Sequence, residues 1–240
     1  MIPWHVTKVF LLWASMGLTA NGELSVTWSY QSGGTSNDEA YGFAVDPSTK
    51  DMVLAGYTEG SVHGNTLTGY KDWVALKLDK DGALLWTFQF GEASSYSTVN
   101  AVAIDGSSNV VLVGTHQGSL LGVSAGERDI AVVMLNSAGV QQWSYQTGST
   151  LWDAAQCVAI DSSGNVIVGG WGRGAISGHT FQGGTTDSVL LKLDSAGSEQ
   201  WVLQTTLSTS GDDYIRGVTT DSSETWINCT FLMVWMLDKL

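Results

Sequence analysis

Proline is almost missing from this chain of 240 residues, with 2 against 29 glycines. Turns must therefore be made with glycine, and collagen-like or proline-rich readings fail. Cysteine is as scarce, also 2. That is too few for a disulfide-framed scaffold, so a hydrophobic core has to carry the stability. Charged residues make up only 14%, against roughly 25% in an ordinary soluble domain, which disfavours a coiled coil or a charge-laced helical bundle. Basic residues are the scarcer sign: 10 Lys and Arg face 23 Asp and Glu, a formal net charge of −13. A phosphate backbone would be repelled, so no nucleic-acid partner is expected. The same charge favours basic or cation-bridged partners and argues against anionic membranes. Sustained helical periodicity with caps is absent, as are GxSxG, HExxH and any Cys with a partnering His.

Hydrophobic residues are plentiful at 43%, with 11 tryptophans, so an acidic disordered tail is excluded. Residues 1–22 read as a secretory signal. Lys8 is their only charge, and the apolar run over 9–20 is 12 residues long, short of the roughly 20 a spanning helix needs. Ala20-Asn21-Gly22 allows cleavage after Gly22, with Ala20 as the competing site. The alternative is an N-terminal core strand or a signal anchor. Residues 23–240 are then one secreted repeat domain with no further segment long enough to cross a membrane. Asn228-Cys229-Thr230 matches the glycosylation pattern.

A repeat organises this domain. Trp28, Trp86, Trp143 and Trp201 recur at spacings of 58, 57 and 58, each followed three residues later by Gln31, Gln89, Gln146 or Gln204. Asp46, Asp105, Asp161 and Asp221 form a second register, and Asp72, Asp129 and Asp187 a third. Such a period means stacked supersecondary units. Each unit reads as four short strands: a Trp-x-apolar-Gln strand, a strand running into the recurring Asp, a buried apolar strand, and an alternating strand such as residues 187–194. Turns of the form Asp/Asn-x-x-Gly (Asp79 to Gly82, Asn136 to Gly139, Asp194 to Gly197) hairpin that strand into the next Trp strand. The expected fold is all-β: a partial or small β-propeller-type repeat of four-stranded antiparallel blades, about 3.5–4 in number, with units starting near 28, 86, 143 and 201 and an abbreviated last unit.

Residues 164–170, the glycine-spaced loop after them, residues 187–197, Trp201 and residues 211–218 together resemble the seven-bladed β-propeller (SBBP) repeat. The resemblance covers residues 28 to about 230. It implies a secreted or surface-exposed structural or interaction module and carries no catalytic residues. The chain departs from that pattern in its blade count.

Several registers invite chemistry. Recurrence at one position in every unit marks Trp28, Trp86, Trp143 and Trp201 as blade-core residues, with each Gln satisfying a backbone group. The tryptophans outside that register, Trp73, Trp152 and Trp171, are candidates for an exposed sugar-binding platform. Asp38, Asp153 and Asp213 share a register with Ser97 eight residues before each strand-end Asp, and are candidate ligands for calcium or a basic partner. An Asx turn explains the same residues. Asp46, Asp105, Asp161 and Asp221 read as caps for the following turn. The Gly56-x3-Gly60-x3-Gly64 spacing recurs twice as a long loop, with Val62, Leu120 and Ile176 expected to plug it back onto the blade. Cys157 and Cys229 fall at small-residue registers and read as two buried thiols, with a bridge between them as the alternative. His63, His116 and His179 lie at different registers with no metal-pairing spacing. The expectation is a secreted, non-enzymatic interaction or scaffold module, its partner a protein or a glycan. No cofactor is implied beyond the calcium option. A carbohydrate-binding propeller is the second reading, and a hydrolase or lyase with a site at the blade axis the third. Open blade edges would favour self-association.

Overall fold

The structure is a computed structural model, and it describes residues 10–18, 24–34, 36–119, 125–206, 211–220, 225–229 and 233–236. Regular structure among the described residues is entirely β. A hairpin of β1 (Phe10–Leu18) and β2 (Leu24–Ser32) precedes three four-stranded antiparallel sheets. Blade one holds β3 (Asp38–Val45), β4 (Met52–Thr58), β5 (Asp72–Leu78) and β6 (Leu84–Phe90). Blade two holds β7 (Ser97–Ile104), β8 (Val110–His116), β9 (Asp129–Leu135) and β10 (Gln141–Thr147). Blade three holds β11 (Asp153–Ile160), β12 (Val166–Gly172), β13 (Asp187–Leu193) and β14 (Glu199–Thr205). A three-stranded sheet follows, from β15 (Ile215–Thr220), β16 (Thr225–Cys229) and β17 (Met233–Met236). None of the sheets closes on itself, and the set is a partial propeller-type array.

The strand patterns follow from position in the blade. The two central strands have neighbours on both faces and both edges. In blade one, β4 and β5 are buried at every residue, as continuous apolar runs require. The outer strands β6, β10 and β14 begin with exposed residues and are half-buried beyond them, apart from the buried Gln204 of β14. Inner strands β3, β7, β11 and β15 pack side by side, and apolar clusters fill the space between successive blades.

Each hairpin between strands three and four is built as its sequence demands. The Asp79 side chain accepts from the amides of Asp81 and Ala83. Asn136 and Asp194 accept the equivalent pairs. Gly82, Gly139 and Gly197 adopt φ of 87°, 78° and 82°, which only glycine takes at little cost. A register shift also recurs in every inner pair, between Ala40 and Gly42, Val99 and Ala101, Ala155 and Cys157, and Ile215 and Gly217. This bulge explains the small-residue register: a Cβ at Gly42 would lie 3.1 Å from Val102 of the next blade.

The stretch expected to be a secretion signal contains β1, whose residues pair with β2, Trp13 opposite Ser29 and Ala14 opposite Trp28. Cleavage after Gly22 would remove β1 and uncover that edge of β2. No described helix is long and apolar enough to cross a membrane.

Candidate functional site

The recurring tryptophans act between blades. Trp86 donates from Nε1 to Ser137 O at 3.0 Å, and Trp143 donates to Ser195 O at 3.1 Å. Each indole lies on the hairpin turn of the next blade: a Cβ at Gly139 would come to 2.7 Å from Trp86 Cδ2, and one at Gly197 to 2.6 Å from Trp143 Cδ2. Trp201 packs on the cluster of Cys157, Ile167, Leu190 and Ile215. The Trp28 side chain lies outside the described residues. Each glutamine fastens the glycine loop to the strand-three aspartate. Gln89 Nε2 donates to Gly60 O and Asp72 Oδ2, Gln146 to Gly118 O and Asp129 Oδ2, and Gln204 to Gly174 O and Asp187 Oδ2. Val62 and Ile176 are buried beneath those loops, whereas Leu120 lies outside the described residues.

Strand-end acids cap their turns. Asp46 accepts from the Ser48 and Thr49 amides, Asp105 from Ser107 and Asn109, and Asp161 from Ser163 and Asn165. Asp221 lies outside the described residues. Burial acts to raise the Asp46 carboxyl. Hydrogen bonds from Ser108, Ser48 and Thr49 and the Lys77 charge overcome it and hold the group at about 2.

The acidic register is dispersed, one residue per sheet. Asp38 is buried and accepts from the Gly34 amide at 2.8 Å and from Thr58 Oγ1. Asp153 is buried and accepts from Ser149 N, Ser149 Oγ and Arg173 N. Asp213 is buried and accepts from Thr206 Oγ1. No three Asp, Glu, His or Cys side chains come together in a metal-holding group among the described residues. The register puts Asp153 beside Asp129 instead. A Cβ at Gly148 would collide with Asp129 and lie 2.9 Å from Asp153 Oδ2. Burial pushes the Asp153 carboxyl up to about 6, with repulsion from Asp129 adding to it and the Ser149 and Arg173 bonds opposing it. Blade two carries Ser97 and His116 at this place. Ser97 Oγ is 2.8 Å from His116 Nδ1, and His116 Nε2 is 3.7 Å from Glu92 Oε1. Ser97 is 0% and His116 1% exposed, so a serine nucleophile here has no access to substrate in this structure.

Trp73, a candidate for the exposed platform, is instead buried. Trp73 is 1% exposed, within the cluster between blades one and two, and donates from Nε1 to Thr115 O at 2.8 Å. Position two of a central strand buries any side chain. Trp152 and Trp171 are half-buried at the rim where strand three begins. There they join an alternation of rings and cations that runs across the blades. Arg128 Cζ lies 5.2 Å from the Tyr96 ring centroid and 4.2 Å from that of Trp152. Arg173 Cζ lies 5.3 Å from Trp152 and 5.5 Å from Trp171. Trp171 meets Tyr214 edge-on at 5.9 Å, and Arg216 Cζ lies 5.2 Å from Tyr214. Tyr70 stacks on Tyr96 at 5.0 Å.

Blade geometry assembles this row. Lys71 and Arg128 precede strand three and bridge, in parallel, to Tyr96 and Trp152, which precede the inner strand of the next blade. The bridges are carried by Ser97 N to Lys71 O and Asp153 N to Arg128 O. These arginines are the only three in the chain, and all stand on one rim. Arg173 and Arg216 meet Trp171 and Tyr214 two residues away, a spacing visible in the sequence, whereas Arg128 reaches Trp152 across the boundary between blades two and three, which spacing could not show. The Cys157 thiol is buried against Gly169 O and Ile215 O, and the side chain of Cys229 lies outside the described residues.

Together the fold and the rim define a blade-repeat array with one aromatic and cationic face. No protein-family model matches the chain, and no curated protein matches it.

Proposed function

We propose that this chain is a secreted, non-enzymatic interaction module of the SBBP-repeat type, and that its binding surface is the rim from Tyr70 to Arg216. One observation carries this reading: all three arginines lie over aromatic rings along one rim, and no carboxylate among the described residues forms an ion pair with them. A guanidinium held in place without an ion-pair partner is a donor set prepared for a ligand. The rigid blades supply pre-organisation, which lowers the entropy cost of binding. The net charge of −13 pointed to basic partners, but placement of the arginines outweighs that global count locally.

The test is a mixed array of glycans and peptides, probed with wild type and with R128Q/R173Q/R216Q. Ligands retained by wild type should be lost by the rim variant. They should be kept by K80Q/D81N, which alters a turn at the opposite end of blade one. Equal retention by the rim variant would reject the assignment.

A further inference from the structure

Three features of the rim restrict the chemistry of its ligand. Arg128 and Arg173 share one indole, with their Cζ atoms 4.2 and 5.3 Å from the Trp152 centroid. A guanidinium carries its N–H donors in one plane, in the fork that fits a two-oxygen anion. The counter-charge differs along the rim. In blade one, Lys71 is neutralised by Glu59 at 3.3 Å, but Arg128, Arg173 and Arg216 have no such carboxylate among the described residues. Burial pushes the Arg128 guanidinium below its ordinary value, and the neighbouring Tyr96 and Glu127 only partly offset this. The third feature is ring surface next to the cations: Tyr70 and Tyr96 are 56% and 38% exposed, and Trp171 is half-buried. Flat aromatic faces suit flat, weakly polar ligand faces.

We propose that the rim binds an acidic glycan, a sugar chain bearing carboxylate or sulfate groups. Arg128 and Arg173 take the oxyanions, Arg216 extends the site, and Tyr70, Tyr96 and Trp171 pack on sugar rings. This rests on the interaction-module reading above. Nucleic acid carries a dense line of phosphates that 23 acidic residues repel. A glycan spaces its charges among neutral sugar faces, and at physiological salt the more distant acids are screened beyond about 8 Å.

The experiment is titration calorimetry at physiological salt, with four probes: oligogalacturonate, a sulfated galactan fragment, the neutral galactan parent and polyglutamate. At least one acidic glycan should bind at least about tenfold more tightly than the neutral parent and polyglutamate, a difference of about 1.4 kcal/mol. Preference between the first two probes identifies carboxylate or sulfate as the anion. R173Q/R216Q changes two exposed side chains and should weaken binding at least about tenfold with an unchanged thermal midpoint. W171A should also weaken binding, by loss of stacking rather than charge. Equal binding of the neutral parent, or tighter binding of polyglutamate, overturns the glycan assignment. So does failure of both acidic glycans while the array still yields an arginine-dependent ligand, and in that case the module reading survives. If neither experiment finds an arginine-dependent ligand, both readings fall.

Discussion

At the scale of single residues, the repeat is held by close contacts that tolerate no added atom. Gly139 has φ 78°, and a Cβ there would lie 2.7 Å from the Trp86 indole of the preceding blade. Gly64 has φ 85° with nothing within 4 Å of such a Cβ. G64A should therefore cost about 1–2 kcal/mol from backbone strain. G139A carries the same strain plus about 1–3 kcal/mol of overpacking. Urea denaturation of the two variants measures the difference, and equal midpoints would remove the Trp86 contact from the account. Asp153 provides a titration test. Its folded value is raised to about 6, so its contribution to stability is complete below the unfolded value of about 4 and is lost as pH rises through 6. Relative to D153N, wild type should lose about 2 kcal/mol between pH 4.5 and pH 7.5. A constant difference across that range would show that the carboxyl is not raised. The recurring Trp and Gly registers were legible in the sequence, since both repeat with the blade. Their contact was not, because the partners lie 53 residues apart, from Trp86 to Gly139.

At the scale of elements, strand order, hairpin turns and buried central strands could be read directly from apolar runs and Asp/Asn-x-x-Gly spacing. The glutamine of each outer strand was visible as a repeat, but its function was not. Its contacts reach back to an aspartate and a loop carbonyl on other strands. Gln204 is buried, accepts from Ile176 N at 2.9 Å through Oε1, and donates to Gly174 O at 2.8 Å and Asp187 Oδ2 at 3.1 Å. Q204A leaves those groups without a partner and should cost about 1–3 kcal/mol. Hydrogen exchange should quicken over residues 173–185, because the loop loses its fastening while β12 and β13 keep their ladder. Uniform acceleration across blade three would mean that Gln204 supports the whole sheet rather than the loop. The same distinction explains the error over Trp73. Strand position decides burial, and an aromatic outside the main register can still fall on a central strand.

At the scale of the whole molecule, one side of blade one presents an exposed apolar row. In blade two, Val102 and Ile104 of β7 pack against the cluster between blades one and two. The residues at the same register of β3, Phe43 and Val45, are 52% and 47% exposed, and Tyr41 beside them is 54% exposed. An apolar row of this shape matches the face of another blade. The expected outcome is concentration-dependent self-association in light scattering. F43E should hold the protein monomeric and leave the thermal midpoint unchanged, because Phe43 is already half in solvent. A wild type that stays monomeric at every concentration would remove this face as a contact. The row lies along the side of β3, whereas the arginines stand at the rim, so association should leave the binding surface open and double the number of rims per particle. Two rims raise the effective concentration at the second by mass action. F43E should therefore weaken retention on a densely coated glycan surface while leaving the calorimetric affinity for a short oligosaccharide unchanged. Equal loss in both assays would place Phe43 in the binding surface itself.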